Sequence, residues 1–156
     1  MATLRYAFTM LEVMVVVTII AILAAIVVPR FGGLTEEARS SAAITAVGGV
    51  RTSIAAYRTR MVLAGDDPFP SLDELVAEGA VMQRGMPANP YSGLSTVRSV
   101  TEAQADAREV SGSETYGWCY FVDNDSEPAR AVIYLNSSDE SGVPDPAGGM
   151  KGANEL

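Results

Sequence analysis

The sequence predicts an α+β protein in which a long amino-terminal α-helix, its hydrophobic half exposed or embedded in a membrane, packs on a small carboxy-terminal antiparallel β-sheet. Three observations lead to this fold class. The apolar run at residues 7–28 is long enough to span a membrane, and a helical period of apolar side chains continues to about residue 63. Farther on, two segments alternate apolar and polar residues and are rich in aromatic and β-branched side chains, which is typical of a β-hairpin.

The apolar run contains a single charged residue, Glu12, close to its start. The 21 residues 8–28 would form about 31 Å of helix, close to the ~30 Å hydrocarbon core of a bilayer. Because a carboxylate in hydrocarbon costs roughly 2.5–3.5 kcal/mol, a helix that served only as an anchor would have no use for Glu12. A cationic partner is therefore expected, either Arg5 or the free amine of a neighbouring subunit that has been cut before Phe8.

The start of this run resembles a known processing signal. Residues 7–13, which read AFTMLEV, are similar to the prepilin cleavage and methylation motif of type IV pilins and type II secretion pseudopilins, and the similarity continues to residues 27–31, VVPRF. It implies cleavage between Ala7 and Phe8 by a prepilin peptidase, N-methylation of Phe8 and polymerisation into a helical filament. Phe8, Glu12 and Pro29 are the assembly residues that it implies. The family usually has glycine before the cut, where this chain has Ala7.

A secretory signal peptide and a plain one-pass anchor are the alternatives. A signal peptide would have a basic first region, a shorter apolar region and a small-x-small cleavage site, whereas here Pro29 and Arg30 follow the apolar run. Arg5 before the run predicts a cytoplasmic amino terminus and a single pass. With the resemblance, the expected location is the bacterial inner membrane, followed by a periplasmic or extracellular filament.

The predicted domains are a leader at residues 1–7, a transmembrane and assembly helix at 8–30, an amphipathic extension at 31–63 and a globular head at 64–156. Pro29, just before the extension, and the pair Gly48-Gly49 within it are expected to interrupt the helix. One interpretation is that these points let the helix flex in a filament. The other is that the glycines permit close packing of the head on the helix.

In the head, Ser71 and Glu74 predict a capping box for a helix at residues 72–78, closed by Gly79. Residues 86–93 form a turn-rich loop, and residues 101–110 are either a short helix or a mobile insertion. The hairpin is expected from residues 115–123 and 130–136, joined by residues 124–129, with a poorly ordered tail after residue 137. This order, with the segments LDELV, MPANPYSG and YGWCY, resembles the major pseudopilins of type II secretion, although residues 95–114 do not match them well.

Composition excludes several kinds of function. The chain has no histidine and one cysteine, Cys119, so a catalytic histidine, histidine-ligated zinc and an internal disulfide are ruled out. Without a histidine to activate it, Cys119 is interpreted as a buried strand residue, and the chain is not expected to be an enzyme. From residue 61 onward, sixteen acidic residues face five basic ones, which argues against nucleic-acid binding by the monomer.

Acidic side chains in the hairpin turn suggest a calcium site. Asp123, Asp125 and Glu127 stand at alternate positions, and Asp139 follows the second strand. Oxygen ligands in such a pattern suit calcium, which the resemblance to major pseudopilins also implies for the carboxy-terminal loops. Pro128, however, stands where an EF-hand loop would need glycine, and a solvated acidic turn is the alternative.

Together these features predict a structural subunit of a type IV pilus-like or type II secretion pseudopilus filament, with type II secretion favoured. Its expected partners are further copies of itself, other pilins or pseudopilins, the prepilin peptidase and the inner-membrane assembly platform. The alternative is a minor pilin or a membrane-anchored binding module that recognises a partner through the acidic loops of its head.

Overall fold

The computed structural model describes residues 8–156, without the side chains of residues 29–34. Its architecture is α+β, as predicted: one long helix, two short helices, two small sheets and a final 3₁₀ turn. The helices are α1 (Met10–Ala64), α2 (Leu72–Val76) and α3 (Glu102–Asp106). The strands are β1 (Val97–Ser99), β2 (Trp118–Asp123), β3 (Arg130–Leu135), β4 (Glu140–Pro144) and β5 (Met150–Gly152), and the 3₁₀ turn is Ala153–Glu155.

The chain divides into two compact units, the first ending at Glu36 and the second covering Glu37–Leu156. In the first unit, the stretch Met10–Val28 of α1 has a mean hydropathy of 3.0 and none of its side chains is buried. By length and composition this stretch is a candidate membrane span. The second unit contains the remainder of α1 and every other described element.

Helix α1 matches the long helix predicted from about Thr9 to Leu63 to within one residue at each end. It runs without interruption through Pro29 and through Gly48 and Gly49, so the predicted breaks are wrong. Proline lacks one backbone donor and crowds the carbonyl four residues earlier, which can kink a helix without ending it. Each glycine costs about 1 kcal/mol, which burial of the neighbouring Val47 and Val50 outweighs. The alternative, that Gly48 and Gly49 permit close packing of the head on the helix, is also wrong, because a Cβ added at either glycine would meet nothing within 4 Å.

The core of the second unit forms between one face of α1 and the β2–β3 hairpin. The buried residues of α1 recur at spacings of three or four, as an amphipathic helix requires. Against them lie Trp118 and Tyr120 of β2, Ile133 and Leu135 of β3, and Leu75 of α2. Each fully buried aliphatic or aromatic side chain contributes about 1.5–3 kcal/mol. The α1 residues concerned are Ala43, Val47, Val50, Ile54 and Tyr57.

The first sheet has the order β1-β2-β3, with β1 parallel to β2 and β2 antiparallel to β3. The predicted hairpin is confirmed, and its register pairs Trp118 with Leu135 and Asp123 with Arg130. Strand β2 begins at Trp118, three residues later than expected. Strand β1 was not predicted, and it makes the sheet mixed rather than purely antiparallel. A three-residue strand is too short to carry a recognisable alternation.

Both short helices begin with capping boxes. The predicted box of α2 is confirmed, because the hydroxyl of Ser71 accepts from the amide of Glu74 while the Glu74 carboxylate accepts from the amide of Ser71. Helix α2 nevertheless ends at Val76, since Ala77 is already extended, and Gly79, with φ of 84°, lies in the turn that follows. Of the two possibilities for residues 101–110, the structure shows a helix, α3, capped at Thr101.

The expectation of a poorly ordered tail after residue 137 is wrong. Strands β4 and β5 form a second, antiparallel sheet, and Ser141 and Ala153 are fully buried. The Ser141 hydroxyl donates to the carbonyl of Lys151 at 2.8 Å, and the side-chain amide of Asn154 donates to the carbonyl of Arg108 at 2.7 Å. These contacts order a segment whose glycine, proline and acid content alone predicts disorder.

The α2 capping box predicts a measurable pH dependence. The Glu74 carboxylate accepts from Ser71 and from the hydroxyl of Tyr57, and these donors, Ser71 first, hold the pKa of Glu74 below its ordinary value. A lowered pKa in the folded state stabilises the protein above about pH 4.3, and this contribution disappears as the pH falls through the folded pKa. We expect Glu74→Gln to lose roughly 0.5–1 kcal/mol at pH 7 and almost nothing once the pH is below the folded pKa of Glu74.

Thermal unfolding of the full chain in detergent over a series of pH values from 7 downward measures this effect, with Glu114→Gln as an exposed control. A loss for Glu74→Gln that stays constant over the whole series would contradict the assigned role of the ionised carboxylate.

Candidate assembly site at the amino terminus

The start of α1 is built around Thr9. Its hydroxyl oxygen accepts from the amide of Glu12 at 3.2 Å, and its carbonyl accepts from the amide of Val13 at 3.2 Å. Thr9 is therefore the N-cap of the helix, and Glu12 is its third residue. Sequence reasoning missed this role, although threonine followed three residues later by glutamate is the signature of a capping box.

Glu12 lies in the first helical turn and is exposed. At this position its negative charge interacts favourably with the helix dipole, which is worth about 0.3–1 kcal/mol. That gain offsets less than half of the roughly 2.5–3.5 kcal/mol that a carboxylate costs in hydrocarbon. Within the described part of the chain, Arg130 pairs with Glu102 and Asp106, and no such ion pair is found for Glu12.

The rest of the apolar surface is consistent with helix packing in a membrane or a filament. Phe8 is 76% exposed, and Met10 and Leu11 are similarly open. The hydroxyl of Thr18 donates to the carbonyl of Met14 at 2.7 Å, so this polar group is satisfied inside its own helix. Glu12 is thus the only polar side chain of Met10–Val28 that needs a partner from elsewhere.

The other predicted residues of this region are only partly described. Ala7 and Arg5 lie outside the described residues, so the cleavage position and a pairing of Arg5 with Glu12 stay predictions. Pro29 lies within α1, but its side chain is not described. The role of Phe8, Glu12 and Pro29 in assembly also stays a prediction.

The four residues predicted to bind calcium do not come together. The Asp123 carboxylate accepts from the amides of Asp125 and Ser126 at 3.0 and 3.2 Å, and so shapes the β2–β3 turn. Asp139 lies beyond the opposite end of β3, where it accepts from Ser137. Among residues 8–156 there is no group of three or more acidic or cysteine side chains placed to hold a metal ion. Calcium binding stays a prediction.

A contact that the sequence did not reveal joins two acidic loops. The amide of Phe69 donates to Asn124 Oδ1 at 3.1 Å, and Asn124 Nδ2 donates to the carbonyl of Phe69 at 2.9 Å. This pair of bonds fastens the loop after α1 to the β2–β3 turn, and Asp66, Asp67 and Asn124 line one cavity of about 440 Å³. We call the resulting surface the acidic tip; its members are Asp66, Asp67, Asp123, Asp125 and Glu127.

Cys119 is fully buried in β2, as predicted. Burial raises the pKa of its thiol above the ordinary value, so the reactive thiolate is disfavoured. The side chain packs with Tyr134, Val100 and Ala105 in a small apolar cluster. It therefore offers no nucleophile for catalysis.

A capped, exposed, membrane-length apolar helix with one acidic residue in its first turn is typical of membrane-anchored pilin-like subunits. The prokaryotic N-terminal methylation motif matches residues 4–28 of this chain. The chain carries the prepilin-type signal of type IV pilins and pseudopilins, which implies processing by a prepilin peptidase and assembly with other pilins. No curated protein and no solved structure shows significant similarity to the chain.

Proposed function

We propose that the chain is a structural subunit of a type IV pilus-like or type II secretion pseudopilus filament, assembled on an inner-membrane platform with further copies of itself. The observation that supports this most directly is the exposed Glu12 at the start of an otherwise apolar helix, four residues after Phe8, the predicted first residue of the mature chain. Such a carboxylate opposes insertion into the membrane and is favourable only where a cation lies beside it.

Cleavage between Ala7 and Phe8 creates that cation. The new amino group of Phe8, which stays positively charged after methylation, pairs with Glu12 of a neighbouring subunit when the two helices lie side by side. In the membrane Glu12 has no partner within its own span, whereas in the filament the pair is mutually neutralised. The difference favours transfer of the subunit from the bilayer to the filament.

We favour a role in type II secretion, because the α2 segment and the 86–93 loop are similar to those of major pseudopilins. The 86–93 loop is held in place by hydrogen bonds of a buried side chain. The side chain of the fully buried Asn89 donates to the carbonyl of Gly117 at 2.8 Å and accepts from the amide of Tyr91 at 2.9 Å. The second candidate is a minor pilin that recognises a partner through the acidic tip.

Intact mass and amino-terminal sequencing of the protein isolated from its own membrane test the proposal. We expect a chain that begins at N-methylated Phe8. An intact Met1 or a cut after Val28 would contradict it. Electron microscopy of fibres, with measurement of subunit abundance, separates a major filament subunit from a scarce minor pilin.

The unusual Ala7 gives a prediction about processing. Because glycine is smaller and is the family's usual residue at this position, Ala7→Gly is expected to be cleaved at least as fast as the native chain. Gel mobility of precursor and mature forms after a pulse of synthesis measures this. Slower cleavage of the glycine variant would contradict this prediction, because the peptidase would then prefer alanine to glycine at position 7.

A further inference from the structure

A groove on the second unit carries an unusual concentration of positive charge. It has a volume of about 540 Å³ and lies between α1 and strand β3. Three arginines, Arg51, Arg58 and Arg108, line it, and its apolar wall includes Ile54 and Ile133. We call it the arginine groove. Its volume lies within the roughly 300–1,000 Å³ of typical binding sites.

Two of the three arginines, Arg58 and Arg108, form no ion pair with a carboxylate within the described residues. Arg51 makes its shortest contact by donating to the main-chain oxygen of Leu156. One acidic side chain, Glu155, also lines the groove, and its carboxylate accepts from the amide of Gly152. Arg51 and Arg108 donate to the backbone carbonyl of Ile133, and Arg58 rests over the ring of Phe69 at 5.0 Å. Burial, and next the positive charge of Arg108, lower the pKa of Arg51, as expected where guanidinium groups crowd together.

The acidic tip carries negative charges that lack cationic partners among the described residues. Within the described part of the chain, no cation pairs with any of its five carboxylates, although the same unit holds the arginine groove. Pro128, exposed beside Glu127, adds an apolar side chain to the tip. An acidic turn with an apolar neighbour complements a positively charged groove with an apolar wall.

The net charge of the second unit favours a protein segment over a nucleic acid as the occupant. Residues 37–156 contain seventeen acidic and nine basic residues, so a long polyanion is repelled by the unit as a whole. A copy of this chain presents only its short acidic turn to the groove and brings its own arginines to the next copy. The contact is head-to-tail and suits an open helical assembly.

We propose that the acidic tip of one copy docks in the arginine groove of the next, with the 123–128 turn as the inserted element. The proposal rests on the filament function proposed above and assigns a head-to-tail contact between the second units of neighbouring copies, distinct from packing of the apolar helices. It explains why charges of both signs remain unpaired on one small unit.

The test is disulfide trapping between two differently labelled full-length copies that are expressed together. One copy carries Ala55→Cys in the groove, and the other carries Ser126→Cys in the tip. A disulfide-linked dimer bearing both labels can arise only from contact between copies. In the matched control, the first copy carries Ala88→Cys instead of Ala55→Cys; Ala88 is exposed and lies outside the groove. The native Cys119 is fully buried and provides no background.

We expect the labelled dimer with Ala55→Cys but not with Ala88→Cys. Arg58→Glu is expected to lower the yield of this dimer roughly tenfold, whereas Arg84→Glu, outside the groove, leaves it unchanged. Filaments that form normally without the dimer would overturn this inference and leave the filament function intact. Wild-type chains that neither begin at Phe8 nor form filaments would instead overturn the function. If no dimer forms, and wild-type filaments retain DNA that Arg58→Glu filaments do not, the occupant of the arginine groove is a nucleic acid and not a second copy.

Discussion

Glu12→Ala is expected to leave the protein in the membrane and to abolish filament assembly. Removing the carboxylate makes insertion of Met10–Val28 easier by roughly 2.5–3.5 kcal/mol, because no charge remains in the span. Under the proposed pairing, the same change removes the partner of the Phe8 amine. The uncompensated ammonium then opposes packing of the apolar helices, so the expected loss of filaments is at least about a hundredfold.

Two further variants distinguish charge from other contributions of Glu12. Glu12→Gln keeps the size of the side chain and the helix cap, in which the Glu12 amide donates to Thr9, but removes the charge. It is expected to fail in assembly like the alanine variant. Thr18→Ala removes a polar group that is satisfied inside its own helix and is expected to assemble normally.

Membrane fractionation and counting of fibres by electron microscopy measure both effects, and the mass of the mature chain confirms that processing is intact. Normal fibres from Glu12→Gln would refute the charge-pairing mechanism, since a neutral amide cannot neutralise an ammonium group. Failure of Thr18→Ala as well would indicate that assembly responds to any change in this helix.

The features that the sequence predicted correctly are those encoded locally. The long helix follows from its apolar period, the Ser71–Glu74 box from a four-residue pattern, and the hairpin from alternation in two neighbouring segments. The same local rule applied to Thr9 and Glu12 would also have identified the cap of α1.

The features that it missed depend on residues far apart in the chain. Strand β1 pairs with β2 about twenty residues later, and the tail is ordered by bonds such as that from Asn154 to Arg108. The acidic tip exists because one side chain, Asn124, bonds the backbone at Phe69. None of these contacts has a periodic pattern, so a single sequence gives no basis for predicting them.

Gly117→Ala is expected to cause the largest loss of stability in the head. A Cβ at this position would lie 2.0 Å from the carbonyl oxygen of Leu94, which is backbone and cannot simply rotate away. Movement of Gly117 is resisted because its amide donates to Thr96 and its carbonyl accepts from Asn89 and Asn136. Overpacking against such a fixed site costs about 3 kcal/mol or more, since the displaced backbone also loses hydrogen bonds.

The matched control is Gly49→Ala, a glycine-to-alanine change in the same unit with open space around the new methyl group. In the interior of α1 this change is expected to stabilise the protein by about 0.5–1 kcal/mol. The single tryptophan, Trp118, is fully buried next to Gly117, so its fluorescence in the full chain in detergent reports unfolding of the head. A 3 kcal/mol loss corresponds to a fall in Tm of at least about 10 °C for Gly117→Ala, against a small rise for Gly49→Ala. Equal Tm values for the two variants would mean that the 86–94 loop can move away from Gly117, and that this loop is less rigid than its hydrogen bonds indicate.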